Sequence, residues 1–191
     1  MHAFPNILVD NILPIPVSSI NQIVFDLHWT YGVGNTPAGF TSSSDLTANS
    51  VNTNVAVDMF FDSDPKAAQN STQAMYEVMV WFAQIGDSSK PYGDKTSTSR
   101  KLDGTTFNLW SGKKSDTITG EKYVLTWVAS EITGRFTGDI YPLITDLYNL
   151  SGDIYPSSTD YLGILSFGTE TYSAARNVTF WASTLSIDIQ K

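Results

Sequence analysis

The chain has 191 residues and a formal net charge of −8, from 11 Lys and Arg against 19 Asp and Glu. One domain spanning 1–191 is expected, long enough to bury a core without staples. The basic residues form no run, which excludes a phosphate-tracking nucleic-acid surface, and an acidic surface repels anionic membranes. No cysteine is present, so disulfides and thiolate metal sites are excluded. No apolar run approaches the roughly 18 residues of a spanning helix.

From the start, MHAFPNILVD has neither the basic region nor the long apolar region of a signal peptide. INQIVFDLHW (20–29) alternates, with Ile23, Phe25, Leu27 and Trp29 on one face and Gln22, Asp26 and His28 on the other. VNTNVAVDMFF (51–61), YEVMVWFAQI (76–85), TTFNLWSG (105–112), KYVLTWVAS (122–130), YLGILSFGTET (161–171) and VTFWASTLSIDIQ (178–190) read as further strands. GDSSKPYGDK and LSGDIYPSSTD read as turns between them. In GDIYPLITDLYNLSG (138–152), Ile140, Leu143, Ile144 and Leu147 have helical spacing, with Asp139 as cap, Pro142 in the first turn and Gly152 at the end. Many strands and one short helix point to an all-β sandwich, barrel or jelly roll. Sequons at Asn70, Asn149 and Asn177 suit an extracellular protein, although a chain rich in Asn, Ser and Thr also produces them by chance.

One residue breaks the pattern. Glu77 lies in an apolar strand that holds no Lys or Arg, and a bare buried carboxylate must pair or shift its pKa. The two-residue period puts Glu77, Met79 and Trp81 on one face and Tyr76, Val78, Val80 and Phe82 on the other. The second set is a core face. The first joins an acid to an aromatic platform, which suits a sugar-binding cleft. A glutamate paired to a cation from another strand explains the same residue, and both readings stay open at this point. Asp58, sharing a face with Ala56 and Phe60, and Glu170, after a Gly-Thr break, are further acids set against apolar strands. There is no G-x-S-x-G elbow, no phosphate-binding glycine motif and no His cluster.

Five segments in order resemble glycoside hydrolase family 12, the small endo-β-1,4-glucanases and xyloglucanases. NVAVDMFF is similar to that family's N-V-A-Y-D-L-F strand. YEVMVWFAQIGD resembles Y-E-L-M-I-W-L and the I-G-D loop. FTGDIYPLITDL resembles the Y-S-G-D segment entering the helix, YLGILSFGTETY the strand running toward G-T-E-P-F, and VTFWASTLSIDI the closing strand.

The resemblance implies a β-jelly roll of two antiparallel sheets, the concave one forming a substrate cleft, with one short helix. It implies Glu77 as nucleophile and Glu170 as general acid/base, with Asp58 beside the nucleophile and Asn54, Met79 and Trp81 lining the cleft. A β-glucan polysaccharide or oligosaccharide is the implied partner, with no metal and no other cofactor, at an extracellular location. Two close carboxylates cannot both ionise cheaply, and the raised pKa is expected on Glu170. Family members begin with further strands, so a shortened N-terminal side is also expected. A non-catalytic carbohydrate-binding jelly roll is the alternative, and nothing in the sequence sets an oligomeric state.

Overall fold

A computed structural model describes residues 4–116, 120–150 and 152–191. In chain order the strands are β1 (Asn6–Leu8), β2 (Ile15–Pro16), β3 (Gln22–Val33), β4 (Asn52–Asp62), β5 (Tyr76–Ile85), β6 (Asp94–Leu102), β7 (Thr105–Asp116), β8 (Gly120–Ala129), β9 (Arg135–Asp139), β10 (Tyr161–Gly168), β11 (Thr171–Ser173) and β12 (Val178–Gln190). The helices are α1 (Ser43–Ala48), α2 (Pro65–Ala68) and α3 (Tyr141–Tyr148).

The strands form two sheets. The larger runs β1-β10-β4-β5-β8-β7-β6, with β11 on β4 and β2 on β10, and the smaller runs β12-β3-β9. The all-β, two-sheet expectation holds. Its antiparallel ladders have one exception, because β5 pairs with β8 in parallel. The two intervening strands, β6 and β7, lie beyond β8, so the chain returns alongside β5 in its own direction.

Period-2 alternation drives the packing. Ile23, Phe25, Leu27 and Trp29 of β3 are sealed from solvent and face Val55, Val57, Met59 and Phe61 of β4 and Val78, Val80 and Phe82 of β5 across one core. Phe82 sits among the rings of Phe136, Phe107, Phe25 and Phe167, with centroids 5.2–6.5 Å away. Burying such rings supplies about 1.5–3 kcal/mol each before entropy is counted.

Helix α3 is tied to this core. Leu143, Ile144 and Leu147 are buried, and the Trp127 indole donates to the Leu143 carbonyl at 3.1 Å. The expected helix is shorter than its sequence signal. It begins at Tyr141, with Pro142 in the first turn, and Asn149 rather than Gly152 ends it. Asp139 is not the cap residue, yet its carboxylate accepts the Tyr141 N–H at 2.9 Å and so satisfies one free helix donor. Two short helices accompany it. Ser42 caps α1, and Asp64 caps α2 with Pro65 at its first position. Helix α2 lies close over β10: a Cβ on Gly163 would meet the Ala68 backbone carbon at 2.2 Å. Only glycine permits that approach.

Candidate active site

The large sheet turns one face to the core and the other outward. On the outward face, Ala56 of β4, Met79 and Trp81 of β5, and Val124 and Val128 of β8 form a second apolar cluster, with Trp110 of β7 packed against it. This confirms the strand parity read from the sequence. Register completes the picture: Asp58 and Thr126 flank Met79 from β4 and β8, and Phe60 and Val124 flank Glu77. The Trp81 indole N–H points at the Met79 sulfur, 3.3 Å away, which fixes both side chains in the floor.

Glu77 stands at the end of this row with its side chain mostly covered. Its Oε2 meets the Lys114 ammonium of β7 at 3.5 Å, while Lys114 is 45 % exposed. A cation from another strand therefore does answer Glu77, but at long range and open to water, where such a pair contributes little. Lys114 and Lys122 face each other across the β7–β8 ladder. They rim a hollow of about 500 Å³ that Glu77 also lines, with Ser71, Thr72 and Tyr92. The half-buried Lys122 lies 5.0 Å over the Phe60 ring, and burial pushes its pKa down.

Glu170 comes from the turn between β10 and β11, 116 residues from its main partner. The Asn54 side-chain amide donates to Glu170 Oε2 at 2.5 Å, and the Glu170 N–H donates to Asn54 Oδ1 at 2.9 Å. The second bond orients the amide, so its NH₂ must face the carboxylate. The Tyr172 hydroxyl donates to the same Oε2 at 2.9 Å. Below, Thr53 Oγ1 donates to the Glu170 carbonyl at 2.9 Å and joins a hydroxyl chain through Thr169.

Asp58 lies between these two acids. Its Oδ1 is buried without a hydrogen-bond partner among the described residues, as is Thr126 Oγ1. Burial foremost, then the charges of Glu77 and Glu170, push the Asp58 carboxyl well above the usual carboxylate range, and Lys122 and Lys114 offset this only partly. The sequence reading had expected a raised carboxyl on Glu170; a raised carboxyl it did not expect is that of Asp58. It arises because β4 is an interior strand, between β10 and β5, where Asp58 is half-buried and its Oδ1 is sealed from water.

The outward face thus gathers Asn54, Asp58, Glu77, Met79, Trp81 and Glu170, all six residues that the sequence had singled out. Four others escaped it. Trp110 was accessible to the period-2 rule, since Phe107 and Leu109 occupy the opposite face. Tyr172 sits two residues from Glu170, the spacing that puts strand neighbours on one side. Lys114 and Lys122 depend on cross-strand register, which leaves no local signal. Among the described residues, no group of three or more His, Cys, Asp or Glu is arranged to hold a metal ion, and no helix is long and apolar enough to cross a membrane.

Comparison with known proteins gives the family of this jelly-roll sandwich. The family model for glycosyl hydrolase family 12 matches residues 33–190, and the chain belongs to that family. It is 32% identical over 161 residues to the xyloglucan-specific endo-beta-1,4-glucanase A of Aspergillus niger, covering 83% of this chain and 55% of that protein. The protein of the same name from Aspergillus aculeatus is 31% identical over 179 residues, 93% of this chain and 63% of that one. The chain therefore spans little more than half the length of these curated relatives. Its fold is similar to that of Trichoderma harzianum endoglucanase 3, with a TM-score of 0.74 at 22% identity over 98% of this chain and 71% of that one. A family 12 xyloglucanase from Bacillus licheniformis gives 0.75 at 15% identity over 98% and 75%.

Proposed function

We propose that this chain, acting as one domain, is a secreted endo-β-1,4-glucanase that cleaves internal bonds of β-glucans with retention. Glu77 is the nucleophile and Glu170 the general acid/base. Asn54, Asp58, Met79 and Trp81 line the cleft. The observation that carries the reading is that Glu77, Asp58 and the Asn54-held Glu170 share one sheet face, beside an apolar floor of Met79, Trp81 and Trp110. Aromatic and thioether surfaces suit the apolar faces of sugar rings. The curated relatives are named as xyloglucan-specific enzymes, which favours a substituted β-1,4-glucan among the substrates.

In the first step a Glu77 oxygen attacks the anomeric carbon while Glu170 protonates the departing glycosidic oxygen. Water then gives its proton to Glu170 and displaces Glu77 from the sugar. The test is reducing-sugar release from xyloglucan, barley β-glucan and carboxymethylcellulose. Glu77→Gln is expected to lower the rate by roughly 10³-fold or more. A parent chain that binds oligosaccharides yet releases no sugar would replace this reading with a carbohydrate-binding jelly roll.

A further inference from the structure

The two oxygens of Glu170 are not equivalent. Oε2 accepts both the Asn54 amide and the Tyr172 hydroxyl, and among the described residues no hydrogen bond reaches Oε1. The Asn54 amide cannot reverse, since its Oδ1 is held by the Glu170 N–H. An amide NH₂ can only donate, so a proton on Oε2 would face a donor and break that bond. The Tyr172 phenol is itself held in donor form: burial first and the Glu170 charge second raise its pKa.

Resting on the assignment of Glu170 as acid/base, we propose that Tyr172 is a positioning residue that, with Asn54, confines the catalytic proton to Oε1. Oε1 is then the oxygen that serves the leaving group. In the glycosylation step the Oε1–H bond breaks as the leaving oxygen takes that proton. The pair of the C1–O bond goes to the leaving oxygen, and a Glu77 lone pair forms the new bond to C1. In the return step a water proton passes to Oε1 as the water oxygen bonds to C1 and the C1–Glu77 bond breaks. Tyr172 touches neither water nor sugar in either step. Its hydroxyl holds the negative charge on Oε2 whenever Glu170 is ionised.

Acid assistance matters in proportion to how poor the leaving group is, which separates this role from a structural one. Tyr172→Phe keeps the ring and removes only the hydroxyl. On barley β-glucan, whose leaving group is a sugar hydroxyl, its kcat/KM is expected to fall about tenfold. On 2,4-dinitrophenyl β-cellotrioside, whose leaving group needs no proton, it should lose far less. The alkaline limb of the β-glucan profile should also move to higher pH, because removing a donor disfavours the ionised carboxylate. Equal losses on both substrates, or an unmoved alkaline limb, would overturn the proposal. Thermal unfolding of the variant identifies a packing defect, which would affect both substrates alike. Glu170→Gln is the companion control. If it spares β-glucan hydrolysis, the acid/base assignment itself fails. If it abolishes hydrolysis while Tyr172→Phe behaves as the parent, only the role of Tyr172 fails.

Discussion

Asp58→Asn offers a test of the electrostatics at the centre of the cleft. The substitution preserves shape and removes one titration. In the folded chain, burial and the charges of Glu77 and Glu170 hold the Asp58 carboxyl well above the ordinary range. In the unfolded chain it returns to about 3.9. Above that value the unfolded state has released a proton that the folded state retains. The stabilisation linked to Asp58 is therefore complete below pH ~3.9 and is lost as pH rises toward the folded value, at about 1.4 kcal/mol per pH unit. Asn titrates in neither state, and the other carboxylates cancel between the two proteins. The variant should thus gain on the parent by that slope from about pH 4 upward, then level off once Asp58 ionises in the fold. For a chain of this size the gain corresponds to roughly 3–6 °C in Tm per pH unit. Urea and thermal unfolding at pH 3, 4, 5 and 6 read it directly. A difference that is flat between pH 4 and 6, or one that favours the parent as pH rises, would refute the reasoning. The stability gained should come with reduced β-glucan hydrolysis, the usual exchange when a functional acid is removed.

Two further outcomes test the frame around the site. Phe82→Ala removes a fully buried ring from contact with four others and should cost about 3–5 kcal/mol. Calorimetry should show a Tm lower by roughly 6–20 °C, and a drop of only a degree or two would mean that the aromatic cluster is not the centre of the core. Lys114→Met removes the cation that meets Glu77. Because that pair is long and Lys114 is largely exposed, denaturant unfolding should change by less than about 1 kcal/mol; a larger loss would give Glu77 a structural role in place of a chemical one.

Much of this architecture was legible because it is written in neighbouring residues. Seven of the eight long strands follow from alternation, as in β3, whose four inward residues are sealed while Gln22 and Asp26 face water. The same rule put Glu77, Met79 and Trp81 on one face, apart from the core. Strand β6 escaped because DKTSTSRKL lies at the sheet edge and is largely exposed, so no apolar period marks it. The short strands β1, β2, β9 and β11 hold too few residues to show a period. The helix was visible from its apolar spacing, but its end was not, since Asn149 closes it through backbone bonds that any residue can make.

The sequence by itself determined seven strands, their two faces and the family, because side-chain period and motif order are properties of adjacent residues. Only the tertiary structure decided what the acids meet. The parallel return of β8 beside β5, the arrival of Lys114 opposite Glu77, the burial of Asp58 between two strands, and the pairing of Asn54 with Glu170 across 116 residues all depend on which strands become neighbours and in what register. That choice comes from burying the whole core at once, and a one-residue slip in any ladder would turn these side chains to the opposite face.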